Sequence, residues 1–502
     1  MKRIVLIIPL LLAVAANAQN KLETVFDNII GGIPFHSYFT GGDNQRYVLF
    51  SSRFTEKDVL LTIPNNGEKG TQTSFQHPME YELLLAYETD NDINCIYKCY
   101  HFDTKTYGIY LNIVPKNSEK SEWNPENIVT FPLEKNDDIR CFSARSPDNR
   151  KAVVTLFMTN YKSNSLKGSL VLAFDENGLR WNSPLDLEFE NNTLQIFGIA
   201  INNDIKVYTS ILSYTKEEDK SKERKNEILH LYESSEYGEI NSAECQVEFG
   251  SLSNGRMLVT RKGDVMVAGY YSPKPEKNET GCYIIRYDVA SLSCSNISHA
   301  DFPDSYYTYV HPTTGKKAKD FYVYPMEFFE FQNGTVALLG DMQAAGNMNT
   351  AVSIAGNILV HFADSQGEIS EMKTIGKSQT SVEKSNHPKQ LCNRLFSYYA
   401  LMHNNKIHIL FPDNIRNYQG ESGLASFTDT HFFTSDLNYK GLCAAHCTID
   451  PSGNITNPEL LMDYTALKTY MFVPFYIEND GAVFLHSGKK SRQISKYKHN
   501  FE

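Results

Sequence analysis

Residues 326–340 read Met-Glu-Phe-Phe-Glu-Phe-Gln-Asn-Gly-Thr-Val-Ala-Leu-Leu-Gly. One apolar run enters, the polar triplet Gln332-Asn333-Gly334 reverses the chain, and a second apolar run leaves, which is the pattern of an antiparallel hairpin. After a polar interval, Ile358–Phe362 supplies a third apolar run that ends at Asp364, with Gly367 just beyond. Runs this short, and this rich in aromatic and β-branched residues, suit strands better than helices.

The unit repeats in both directions from this point. Its turns recur at Gly42-Asp43-Asn44, Asp90-Asn91-Asp92, Pro147-Asp148-Asn149, Asn202-Asn203-Asp204, Lys262-Gly263-Asp264, His403-Asn404-Asn405 and Asn479-Asp480-Gly481. The intervals are roughly 50–75 residues, a period that belongs to repeat architectures. Third strands follow at Ser169–Phe174, Ile228–Tyr232 and Tyr283–Tyr287, and a fourth is expected at segments such as Leu185–Phe189. The last unit, from Met471, has room for three strands, and Leu22–Ile30 can supply the fourth. Pairing the two chain ends removes edges that would otherwise invite aggregation. The expected fold is therefore all-β: a β-propeller of seven or eight blades, each of three to four antiparallel strands. An array of β-sandwiches is the weaker alternative, since no Pro- or Ser-rich linker interrupts the chain.

Met1-Lys2-Arg3, the apolar run Ile4–Ala16 and the small residues Ala16 and Ala18 form the three parts of a secretory signal. The expected organisation is a signal peptide over 1–18, cleaved before Gln19, and one propeller domain over 19–502, exported to the periplasm or beyond the cell. The apolar run is short for a membrane span, so no span is expected after cleavage. The net charge is −11, with no basic stripe, and this argues against a nucleic-acid partner.

Nine cysteines are present. Cys95/Cys99 and Cys443/Cys447, the latter flanking His446, have the C-x3-C spacing that grips a metal on a helix. In strands the two thiols would stand about 13 Å apart, too far for a disulfide or one ion. Buried free thiols, or disulfides between neighbouring strands, are expected, and no metal. Asp175, Asp288, Asp364 and Asp436 each stand where a strand meets a turn, the position of a carboxylate that caps its own backbone. His101, His230, His361 and His431 lie at unequal distances from the following acid, so strand alternation scatters them over different faces. No nucleophile elbow, phosphate loop or dinucleotide fingerprint is present, and no cofactor is implied.

Loops between second and third strands, such as Lys216–Lys225, Ala344–Gly356 and Ile415–Thr428, emerge on the same face as the inter-blade loops Asp301–Phe321 and Lys373–Asn393. Function on a rigid scaffold concentrates in such loops. The residues singled out for binding are Tyr306, Tyr307, Tyr309 and His311 on the first inter-blade loop, Asn347 and Asn349 on the second of the long insertions, and Tyr418 and Glu421 on the third.

The stretches Glu327–Gly340, Asn357–Asp364 with Gly367-Glu368-Ile369, Ser397–Asn414 and Ile449–Lys490 together resemble a family of large exported β-repeat proteins from Gram-negative bacteria. The resemblance covers roughly residues 255 to 500. It implies export and a propeller-like fold, and it carries no activity and no functional residues. The expected function is that of a binding or scaffold module in the cell envelope, with an envelope protein or an exposed polymer as partner. The alternative is a secreted hydrolase or lyase acting on glycans or peptides, with acids converging on the central channel.

Overall fold

The computed structural model describes residues 22–29, 35–51, 56–64, 70–116, 118–160, 162, 165–185, 187, 192–217, 220–236, 238, 240–275, 277–311, 314–345, 351–383, 398–418, 430–433, 442–464, 472–478, 481–487 and 492–499. Within them the chain forms eight β-sheets. Seven are blades of four antiparallel strands in a β-propeller arrangement, and one is enlarged to six strands. We number the blades by chain order: blade 1 over 35–76, blade 2 over 81–132, blade 3 over 137–184, blade 4 over 192–246, blade 5 over 251–301, blade 6 from 322, blade 7 over 399–463 and blade 8 over 472–497. All eight turns read from the sequence fall between the first and second strands of a blade.

The opening stretch shows why. Tyr322–Glu330 and Val336–Ala345 are the first two strands of blade 6, in register from Glu330↔Val336. Gly334 takes φ +85, a backbone state that residues with a Cβ adopt at a cost, and Asn333 Oδ1 accepts the Thr335 N–H across the bend. At Gly340 a Cβ would stand 2.0 Å from Tyr270 Oη, so the absent side chain is what lets that buried ring in from blade 5.

The third-strand acids behave as turn caps. Asp175 accepts from Asn177 N–H, Asp288 from Ala290 N–H and Asp364 from Gln366 N–H, all through Oδ1. Asp436 lies outside the described residues.

Middle strands are buried on both sides where a neighbouring blade covers each face. In Val265–Ser272 every residue is buried. Met266, Ala268 and Tyr270 pack towards blade 6, while Val265 and Val267 pack towards blade 4. Outermost strands alternate instead, as in Ser293–Asp301, since one face meets water. Apolar clusters join successive blades from 1 to 8 in this way. The N-terminal strand Leu22–Ile29 completes blade 8, pairing Leu22↔Tyr497 through to Ile29↔Arg492.

Three readings are corrected by the structure. The fourth strand of blade 3 is Gly178–Pro184, directly after the Asp175 turn, not Leu185–Phe189; a two-residue reversal at Gly178 leaves no room for a longer return. The segment Lys216–Lys225 is largely a hairpin extension of blade 4, with Lys216↔Arg224 and Glu217↔Lys220 paired on either side of a register shift. Lys373–Asn393 contains a strand, Gln379–Glu383, that pairs back onto blade 6 and also runs parallel to Thr430–Phe433 from the blade 7 insertion. The cysteines Cys95, Cys99, Cys443 and Cys447 are buried free thiols. Among the described residues no helix is long and apolar enough to cross a membrane.

Candidate functional site

Three of the exposed aromatic residues, Tyr307, Tyr322 and Tyr324, lie on the inter-blade loop after blade 5 and on the opening of the strand it leads into. Of the nine exposed large hydrophobic residues among those described, Tyr307, Val310, Tyr322 and Tyr324 fall in the one stretch of chain from 307 to 324.

The loop is built on buried anchors. Phe302 N–H donates to Thr280 O at 2.7 Å, and the short helix Asp304–Tyr307 follows. Its Tyr306 turns inward, 3% exposed, with its ring centroid 4.4 Å from that of Phe302. Beyond it the chain folds back on itself: His311 N–H donates to Lys316 O and Ala318 N–H to Tyr309 O. His311 is fully buried, stacks on Phe321 and lies 3.1 Å by Nε2 from Ser378 Oγ. Asn278, between the second and third strands of blade 5, donates to both Lys319 O and Phe321 O. The two kinds of loop thus share one face.

Beneath Ser378 sits a buried ion pair. Lys377 Nζ lies 2.6 Å from Asp341 Oδ1, with side chains 1% and 0% exposed. Gln343 Nε2 donates to the other oxygen of Asp341, and the ammonium lies over the Tyr398 ring. Burial lowers the Lys377 pKa, and Asp341 opposes that shift.

Tyr322 and Tyr324 stand on one face of their strand, with Val323 buried between them. Glu279 Oε2 accepts the Val323 N–H at 2.9 Å, and burial raises the Glu279 pKa. Glu227 does the same one blade earlier, accepting from Leu252 N–H and Ser251 Oγ–H. The repetition identifies these glutamates as staples between blades. Burial raises the pKa of Tyr324, followed by Glu279 and Tyr322, and burial raises that of Tyr307, followed by Asp301 and Asp304, so these two phenols stay protonated. The patch therefore offers apolar ring faces with hydroxyl donors and acceptors, the combination that aromatic residues bring to half-wet interfaces.

Among the residues singled out from sequence, Tyr307 is exposed and available, and Tyr309 is half-buried against Phe321. Tyr306 and His311 are framework. Tyr418 is half-buried on blade 7 and donates to the buried Asp413 Oδ2 at 2.7 Å. Asn347, Asn349 and Glu421 lie outside the described residues. Sequence reading stopped the loop at Phe321 and missed Tyr322 and Tyr324, although Tyr-Val-Tyr at the mouth of a first strand carries the signal.

Blade 2 presents a second, smaller group on its second-to-third turn. His101 Nε2 lies 2.7 Å from Tyr110 Oη, with Glu80 3.7 Å from His101 Nδ1. Tyr81 and Trp123 pack edge-on beside them, and Phe102 is 73% exposed. The four histidines considered from sequence do not converge: His101, His230, His361 and His431 belong to blades 2, 4 and 6 and the added strand Thr430–Phe433.

No known protein family matches this sequence, and no curated protein does. Among solved structures, the chain is similar to a polysaccharide lyase, the PL25 ulvan lyase bound to -[GlcA(1-4)Rha3S]-, at 10% identity over 70% of this chain and 86% of that one, with a TM-score of 0.39. It is similar to the polysaccharide lyase Uly1 at 8% identity over 95% and 92%, with a TM-score of 0.36. A third likeness is to the α-L-arabinofuranosidase Arb93A of Fusarium graminearum, at 9% identity over 71% and 92%, with a TM-score of 0.30. At these values the likeness carries no chemistry over to this chain.

Proposed function

We propose that the protein is an exported binding module, with residues 1–18 removed as a signal peptide and the remainder acting as one propeller in the periplasm or outside the cell. Its ligand is an exposed polymer, a glycan chain laid across the loop face and held by Tyr307, Tyr322 and Tyr324. The carrying observation is that Tyr307, Tyr322 and Tyr324 are exposed along a loop and the strand it opens, while the loop's anchors Tyr306, His311 and Phe321 are buried. A rigid platform of this kind binds without first ordering its own side chains. Covering one such ring contributes about 2 kcal/mol at roughly 25 cal/mol per Å². Affinity electrophoresis against soluble acidic and neutral polysaccharides tests this. The mature chain is expected to be retarded by at least one polymer, and Tyr322→Ala/Tyr324→Ala to lose that retardation with an unchanged Tm. Equal retardation of both proteins would overturn the reading.

A second reading rests on the His101–Tyr110 pair. A half-exposed imidazole bonded to a phenol, with Glu80 beside it, can move a proton, as a lyase or hydrolase requires. Depolymerisation of the retained polymer that is abolished by His101→Ala would favour this reading over simple binding.

A further inference from the structure

Three side chains far apart in sequence meet where blade 7 faces blade 8. His446 lies on the third strand of blade 7, Leu442–Ile449, directly opposite Glu459 on the fourth, Glu459–Asp463. His499 follows the last strand of blade 8, Arg492–Tyr497. His446 Nδ1 and His499 Nε2 each lie 3.4 Å from Glu459 Oε1, and the three potential ligand atoms are all within 4.8 Å of one another.

We propose that His446, Glu459 and His499 form a binding site for a divalent transition metal, with Zn²⁺ the best fit. Both histidine-to-carboxylate distances equal a tetrahedral ligand–ligand edge, and the two ring nitrogens lie within 4.8 Å of each other. With bonds of about 2.0–2.1 Å, two ligands on a tetrahedral zinc stand about 3.4 Å apart. Two imidazoles and a carboxylate suit zinc, whereas calcium and magnesium take oxygen ligands.

The orientation of His446 is already set. Its Nε2 lies 3.1 Å from His408 Nδ1, and the two rings stack with centroids 5.3 Å apart. This contact holds the ring with Nδ1 turned to Glu459, and a metal at Nδ1 takes the tautomer that carries the proton on Nε2 and donates it to His408. Metal-bound histidines are fixed by such an outer partner on the second ring nitrogen. Strand alternation supplies the rest: Cys447 packs between blades 6 and 7 and Cys443, four residues away, shares its face, while His446 shares the face of Leu442 and Ala444 that meets blade 8. The C-x3-C pair is therefore not the site; the histidine between its members is.

Three protein ligands leave one position of a tetrahedral ion for water. The side chain of Glu459 is 58% exposed and that of His499 24%, so the ion would be reached from solvent. The site also ties the end of blade 8 to blade 7, close to where the N-terminal strand closes the ring.

The test uses the full mature chain, stripped with a chelator and titrated with Zn²⁺ against a chromophoric competitor. Co²⁺ loading provides a visible spectrum of the coordination geometry. One ion per chain is expected, with a tetrahedral cobalt spectrum. His499→Ala, beyond the last strand, should weaken zinc at least tenfold while leaving the metal-free Tm unchanged, and Glu459→Gln should weaken it similarly. His408→Phe, which removes only the outer partner, should weaken it about 10–100-fold. In blade 2, Glu80, Cys99 and His101 also bring ligand atoms within 4.8 Å of one another, and Glu80→Gln there should leave the titrated zinc affinity as it is. Absence of stoichiometric zinc binding would overturn the proposal, as would binding that His499→Ala and Glu459→Gln do not change.

Discussion

His361 should make the protein acid-labile, and replacing it by leucine should remove part of that lability. The imidazole is 1% exposed, with Nδ1 3.0 Å from Cys282 Sγ and rings of Tyr270 and Phe302 beside it. Burial pushes its pKa down from 6.5 to about 3. The native state therefore refuses a proton that the unfolded chain accepts anywhere between those values. Stability rises with pH where the unfolded state binds more protons. The contribution is thus intact above the unfolded pKa and is lost as pH falls through that window. Between pH 7 and pH 5 the loss from this one group is about 2 kcal/mol, at 1.36 kcal/mol per pH unit below 6.5. Urea unfolding of the parent and of His361→Leu at both pH values isolates it. The variant is less stable at pH 7 because the surrounding contacts change, so the quantity to compare is the loss between the two pH values. The parent should lose about 2 kcal/mol more than the variant. Equal losses would show that the imidazole is charged or hydrated in the native state, and the reasoning would fail. Phe302 is also the anchor of Tyr306, so acid should first loosen the loop that carries the tyrosine patch.

Two more outcomes follow from buried charges. Asp341→Ala leaves Lys377 as a buried, uncompensated cation and should cost about 3–5 kcal/mol, whereas Asp341→Leu/Lys377→Met should recover most of it; denaturant melts showing the double variant as weak as the single one would contradict this. His77 and Asp58 form a buried pair at 3.1 Å. Burial alone would lower the His77 pKa, but the hydrogen bond and charge of Asp58 carry it above 6.5. That stabilisation is present below the unfolded pKa and lost as pH rises through the folded one, so Asp58→Asn should be most destabilising at about pH 5–6 and less so above pH 8, read from Tm against pH.

The fold was legible because its information is local. A turn such as Gln332-Asn333-Gly334 states its own reversal, and the apolar runs beside it need only a neighbour on each side to bury them. Closure was legible for a related reason: a last unit one strand short and a spare strand at Leu22 have one economical solution. The errors share a cause. Lys216–Lys225 and Gln379–Glu383 are too polar to read as strands, and they are strands because a partner strand, not a core, takes their backbone hydrogen bonds.

The candidate sites were legible in proportion to how little they depend on register. The tyrosine loop could be named from its density of Tyr306, Tyr307 and Tyr309, yet the sequence does not say which ring turns inward; a single helical turn at Asp304–Tyr307 decides that by packing Tyr306 on Phe302. Tyr322 and Tyr324 look like core residues of a first strand, and only the end of that strand, where no blade covers them, makes them surface. The trio His446, Glu459 and His499 depends on register throughout. Its pairing His446↔Glu459 follows an irregularity between Ala444 and Ala445, and one residue of slip would turn the carboxylate to the other face of the sheet. Its third member arrives from the following blade, whose place is fixed only when the N-terminal strand joins Arg492–Tyr497. A site that exists only once the ring has closed has no trace in any single segment of the sequence. It also means that metal bound there would report on closure: a chain lacking Leu22–Ile29 should lose high-affinity zinc together with the last blade.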